Sequence, residues 1–184
     1  MDALELLLSR TSDPQLTEPA PSGEALETLF QAALRVPDHG GLKPFRFVLI
    51  EGEGRGRLGK VCQRALLADQ PDADEAARTK ALHLLERAPL VIAVISRIQA
   101  HPKVPAFEQQ LTAGLAVQAM QMAAVAQGFG GIWRTGSYAT HALVRQALGV
   151  EGEDEIVGFL YLGTPVKTKL KVPRPDSAPF VSRF

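Results

Sequence analysis

The segment FEQQLTAGLAVQAMQMAAVAQG, residues 107–128, constrains this chain more than any other. It reads as a helix over about 106–127 that is apolar or small around nearly its whole circumference. A helix of that kind has to be buried on all sides, either inside its own domain or against a second subunit. Gln118 and Gln121 interrupt it and no charged anchors flank it, so it does not read as a membrane span. The other apolar run, APLVIAVIS, is too short to cross a bilayer. A soluble, cytoplasmic protein is expected, with no membrane partner.

Around that helix, strand and helix patterns alternate. DALELLLSR reads as a short opening helix, followed by a proline-rich extended segment. Leu26, Leu29, Phe30, Ala33 and Leu34 predict a helix over 23–35, with Ser22 as its cap and Pro37 as its stop. FRFVLIE, LVIAVIS, GFGGIWRT and EIVGFLYLG read as strands, and helical patterns over about 55–68, 73–88 and 140–148 lie between them. The alternation predicts one layered domain over 1–184, with helices covering a mixed sheet. From about Thr164 the chain continues as an extended arm carrying Phe180, Val181 and Phe184. Apolar anchors on such an arm suggest packing against a partner chain; a tail lying on its own domain, or disordered, is the alternative.

The totals exclude several classes of function. Twenty basic and twenty acidic residues cancel, so nothing draws the chain to nucleic acid or anionic lipid. MDALELLLSR lacks the basic region and small-residue cleavage site of a signal peptide. The single Cys62 can form neither an internal disulfide nor a thiolate cluster, and its place on an apolar helical face suggests an inert core thiol. His83, His101 and His141 are isolated, so no metal site is expected. No nucleophile elbow and no Walker loop is present.

Gly54-x-Gly56-x-x-Gly59, after the strand at 45–51, matches the dinucleotide fingerprint. Glu51 and Glu53 beside it would repel pyrophosphate, and no strand ending in an acid follows about 20 residues on, as the ribose contact requires. A turn with a frayed helix start is the better reading; a nucleotide loop in a Rossmann-like domain is the weaker one. Three other places could hold a ligand. Arg10 and Ser12 at a helix end could clamp a phosphate, although surface Arg-Ser pairs are commonplace. Arg35 and His39 flank a proline ahead of two glycines, which could present a cation and an imidazole to a ligand; a helix-terminal arginine favoured by the macrodipole and a solvent-facing histidine is the plainer reading. In GFGGIWRT, Gly130 and Gly131 could let a flat ring lie on the main chain beside Trp133; a β-bulge with a core tryptophan is the plainer reading.

Arg10-Thr11-Ser12, Arg35-Val36-Pro37-Asp38-His39, KPFRFVLIEGEGR, MQMAAVAQGFGGIWR and GFLYLGTP follow one another in that order along essentially the whole chain. In this the sequence resembles the FMN-dependent nitroreductase family, MAAVAQGFGGIWR and IVGFLYLGTP being the most specific blocks. The resemblance implies an α+β fold in an intertwined homodimer, with one FMN in each of two clefts between the subunits. It implies that Arg10, Thr11 and Ser12 lie at the ribityl phosphate. Thr11 stands where the family has a second arginine, and Gln15 where a further one often follows. Arg35 and His39, given by the partner subunit, are implied beside the flavin, with Gly40 and Gly41 replacing the usual Ser and Asn and Lys43-Pro44-Phe45 replacing Gln-Pro-Trp. The main chain of Gly131, Ile132 and Trp133 is implied along the isoalloxazine.

The implied activity is ping-pong hydride transfer from NAD(P)H through FMN to nitro compounds, quinones or another small-molecule acceptor. The flavin carries that chemistry, so no acid, base or nucleophile of the protein is required. A cation beside the ring, Arg35 or Arg10, would stabilise its reduced form. The alternative is a non-catalytic, FMN-depleted dimeric module that binds another small molecule.

Overall fold

All seven residues of strand β3 (Leu90–Ser96) are buried, as expected of a continuous apolar run with both faces covered. In the computed structural model, which describes residues 2–167, 173 and 175–184, β3 runs between β2 (Phe45–Glu51) and β5 (Glu155–Pro165). The far side of β5 carries β4 (Gly130–Arg134), with Gly131 opposite Leu162 and Trp133 opposite Leu160. The two-residue β1 (Leu16–Thr17) pairs with the end of β5, at Pro165 and Thr164.

Every pairing among the described residues is antiparallel, which corrects the expected mixed sheet. The reason lies in the connections. A single helix after a strand carries the chain back to the strand's starting end and produces a parallel neighbour. Between β2 and β3 lie two helices, α3 (Glu53–Asp69) and α4 (Glu75–Leu82). They pack against each other as a hairpin that returns the chain to the end where β2 finished. β3 and β4, joined by the single long helix α5 (Ala106–Ala126), do run the same way, but β5 lies between them.

Alternate residues of β3 serve two cores. Leu90, Ile92 and Val94 join Leu29 and Ala33 of α2 (Gly23–Ala33) and Ala113, Ala116, Val117, Met120 and Ala124 of α5. Val91, Ala93 and Ile95 join Leu58, Cys62 and Ala65 of α3, with Ala139 of α6 (Ser137–Thr140) and Val144 of α7 (Ala142–Ala147). The result is helix on sheet on helix. α5 is buried on its inner face only. Phe107, Leu111 and Leu115, spaced four residues apart on the outer face, are 66%, 52% and 42% exposed, so the all-round burial expected of this helix is half met within one protomer.

Local details modify other expectations. α1 (Ala3–Ser9) is capped by Asp2. Ser22 occupies the cap position of α2 but makes no side-chain bond there, and the helix stops at Ala33, short of Pro37. The pattern at 140–148 divides into α6 and α7, with the His141 side chain accepting from Leu143 N at the break. β5 runs on to Pro165, past the expected start of the arm. Of that arm, residues 168–172 and 174 lie outside the described residues, and Phe180, Val181 and Phe184 are exposed.

The glycine motif is helical throughout. Gly52, at φ +51°, makes the turn, and Gly54, Gly56 and Gly59 all lie inside α3. A Cβ on Gly59 would run into the main-chain oxygen of Leu82 in the neighbouring α4, so this glycine is a close-packing residue. Gly59→Ala is expected to destabilise the fold by about 1–3 kcal/mol through overpacking. The urea midpoint reads this directly, and an unchanged midpoint would contradict the packing role.

Candidate functional site

The eight residues singled out by the sequence fall into two groups. Arg10 ends α1 in an extended conformation and, with Thr11, is half-buried, while Ser12 is exposed. Asp13 then fastens the segment to β4. Its N–H donates to Gly131 O at 3.1 Å, and its carboxylate accepts from Gly131 N at 3.3 Å. Gln121 of α5 donates to the same Gly131 oxygen at 2.9 Å. Arg10, Thr11 and Ser12 are thereby held beside Gly131, Ile132 and Trp133.

Gly130 and Gly131 are required by the packing of the chain itself. A Cβ at Gly130 would sit 2.6 Å from Pro165 Cγ and 2.8 Å from Asp13 Oδ2, and one at Gly131 would sit 3.1 Å from Leu162 Cδ2. Both positions are closed by the protein itself. What β4 offers outward is its edge. Alternate residues of an antiparallel strand turn their N–H and C=O to the same side. Gly131 turns its pair toward Asp13, so Trp133 presents its pair at the same open edge. The Trp133 indole is partly exposed, lies 3.6 Å from where a Cβ on Gly114 of α5 would be, and donates to Val157 O at 3.3 Å. It is therefore not the core tryptophan of the plainer reading.

The second group is the loop after α2. Arg35 is exposed, and His39 Nδ1 lies 2.6 Å from the Glu108 carboxylate at the start of α5. The Thr112 hydroxyl donates to Pro37 O at 3.3 Å. Asp38 organises the turn by accepting from Leu42 N at 3.1 Å and Lys43 N at 2.9 Å. Gly40 and Gly41, at φ +75° and +66°, adopt left-handed conformations that suit glycine. This explains glycine at these two positions without reference to a ligand.

Within the chain the two groups do not meet. His39 is tied to Glu108 and Gly131 to Gln121, and at 1.5 Å per residue those anchors stand about 20 Å apart along α5. Along the same helix runs the uncovered row of Phe107, Leu111 and Leu115.

Sequence reasoning missed Asp13 and the role of Gln121. Gln121 was visible as one of two polar interruptions of the apolar helix. Gln121 is buried and used, whereas Gln118 is exposed. Arg134 turns to the other face of the sheet, with its Cζ 5.9 Å from the centroid of the Tyr161 ring. Cys62 is buried and its thiol is pushed up to about 11 by that burial, so it is neutral and unreactive near pH 7. Among the described residues, no three His, Cys, Asp or Glu side chains gather as metal ligands, and no helix is long and apolar enough to cross a membrane.

Asp13→Ala leaves the Gly131 N–H without its acceptor and is expected to cost about 1–3 kcal/mol of stability. Asp13→Asn, which keeps an acceptor oxygen, is expected to cost less. Equal losses for the two variants, measured by urea unfolding, would contradict the assigned bond.

The nitroreductase family model matches residues 7–164. The chain is similar to the Escherichia coli K12 protein named "Putative NAD(P)H nitroreductase YdjA", with 49% identity over 185 residues and both chains covered in full. Among solved structures it is similar to a nitroreductase-like family protein from Bacillus cereus, with TM-score 0.83 and 21% identity over 100% of this chain and 96% of that one. It is also similar to oxidised iodotyrosine deiodinase bound to FMN and 3-iodo-L-tyrosine, with TM-score 0.72 and 20% identity over 98% and 97% of the two chains. With these two structures the chain shares the fold.

Proposed function

Because the chain belongs to the nitroreductase family of oxidoreductases, we propose that it is an FMN-dependent NAD(P)H oxidoreductase acting as a homodimer. Its acceptors are nitro compounds, quinones or another small molecule, and its compartment is the cytoplasm. The observation that carries this reading is the separation of the two residue groups along α5, with an apolar row exposed on the same helix. A twofold axis through the middle of α5 lays two such helices antiparallel. The Glu108 end of one copy then meets the Gln121 end of the other, and Arg35 and His39 of one copy join Arg10 and Gly131 of its mate. Such an interface is self-complementary. Burying Phe107, Leu111 and Leu115 there stabilises it by about 1.5–3 kcal/mol for each side chain.

The residues present suit FMN. Thr11 and Gln15 are uncharged, so Arg10 is the only cation of residues 10–15, and with the Ser12 hydroxyl it would hold the ribityl phosphate. Trp133 offers a main-chain N–H at the open edge of β4 to an acceptor on the ring. Arg35 and His39 of the second copy would supply positive charge beside it. FMN, when bound, supplies hydride transfer between NAD(P)H and the acceptor; the chain supplies position, exclusion of water and electrostatics. The FMN in the deiodinase of the same fold supports this reading, as does the NAD(P)H in the name of the Escherichia coli relative.

Purified protein is expected to show flavin absorbance that NADPH bleaches without oxygen. Arg10→Ala is expected to weaken FMN binding by about 1.5–3 kcal/mol, through loss of a charge-assisted phosphate contact. Fluorescence titration of FMN measures it. A protein that neither carries nor captures FMN, or an affinity indifferent to Arg10, would contradict the proposal.

A further inference from the structure

On the sheet face turned away from α5, a cavity of about 380 Å³ opens between β5, α3 and the turn Leu84–Arg87. That volume lies in the range of small-molecule sites. None of the eight residues expected at the FMN site lines it. Strand alternation explains the separation: Trp133 leans on α5, whereas Ile132 and Arg134 turn to the opposite core.

Arg134 is the unusual member of this cavity. Its Nε is buried and has no hydrogen-bond partner, the one such side-chain N or O atom among the described residues. No carboxylate among the described residues pairs with its guanidinium, whose only assigned neighbour of note is the face of Tyr161. The residue as a whole is half-buried, so the sealed Nε–H is a standing cost and the guanidinium is a cation that no carboxylate among the described residues offsets.

The remaining walls are neutral. Burial pushes the Tyr161 hydroxyl up to about 12 and the Cys62 thiol up to about 11, so both stay protonated at neutral pH. Tyr138 and Ser137 add hydroxyl groups, while Leu85 and Phe159 add apolar surface. Arg87 contributes a second positive field at Tyr161. The carboxylate felt by Tyr138 is that of Asp69, which stands 3.5 Å from His141 Nε2. One uncompensated cation, hydroxyl donors and an apolar floor complement an anion with a flat hydrophobic body.

We propose that this cavity is a second binding site, separate from the flavin groove, for a small aromatic carboxylate held by the Arg134 guanidinium. Trp133, the residue before Arg134 in β4 and the only tryptophan, reports its occupancy. The test titrates the purified protein, with and without added FMN, with benzoate, following Trp133 fluorescence and backbone amide shifts. Saturable shifts are expected at residues 134–138 and 84–85. Benzylamine, of similar shape and opposite charge, is expected not to saturate. Arg134→Met is expected to weaken benzoate at least tenfold, and Arg134→Lys less. Ser137→Phe, at an exposed position on the rim, is expected to block entry; it decides the matter if Arg134→Met does not fold. No saturable binding by the wild type, shifts centred on residues 10–12 or 131–133, or unchanged affinity in a folded Arg134→Met or in Ser137→Phe would overturn the proposal.

Discussion

A helix with two apolar faces has to find two partners, and the architecture around α5 follows from that. Ala113, Ala116 and Ala124 let the helix approach the sheet closely, and with Val117 and Met120 they share one core with Ile92 and Leu160. The inner face thereby closes one of the two cores. The outer face, with Phe107, Leu111 and Leu115, is left in water by a single protomer. Exposed apolar area in one continuous row is unfavourable at roughly 25 cal/mol per Å², and a contiguous patch of this kind marks an association surface. In the proposed dimer, the surface that drives association is also the ruler that sets the distance between the two halves of the site.

The short polar connections around Gly131 are the second element of that arrangement. β4 is an edge strand, and an edge with free N–H and C=O groups invites unwanted pairing. Asp13 covers the first part of the edge from one side and Gln121 from within. Only the stretch from Trp133 onward is left for another occupant. The same contacts fix Arg10, three residues before Asp13, relative to the strand. The loop at 35–41 is held in a comparable way by Asp38 and by the Glu108–His39 pair. Both segments are thus fixed by a few hydrogen bonds, the first to β4 and the second to α5.

Much of this was legible in the residues. The spans of β2 and β3 read directly from FRFVLIE and LVIAVIS, and α5 from its apolar run, because composition and period agree there with the tertiary environment. The family is legible as well, in blocks such as MAAVAQGFGGIWR and GFLYLGTP. Sheet direction was not, because alternation of strands and helices does not say whether one helix or a helical hairpin makes the crossover. The bonds of Asp13 and Gln121 were not legible either: each joins segments distant in sequence, and nothing local distinguishes Gln121 from Gln118. The packing role of the glycines was not legible either: a Cβ on Gly59 or Gly130 would meet another part of the same chain, which the local sequence does not show. The surroundings of Arg134 were not legible, because a buried nitrogen without a partner is defined only by the folded chain.

The central claim is that each flavin site takes Arg10 from one chain and Arg35 from the other. The direct measurement uses a heterodimer of differently tagged copies, one carrying Arg10→Ala and the other Arg35→Ala. The account predicts that each variant homodimer binds FMN weakly, while the heterodimer, which contains one site with both arginines intact, binds one FMN per dimer with the wild-type affinity. A heterodimer no better than either parent, or a chain that binds FMN as a monomer, would contradict it.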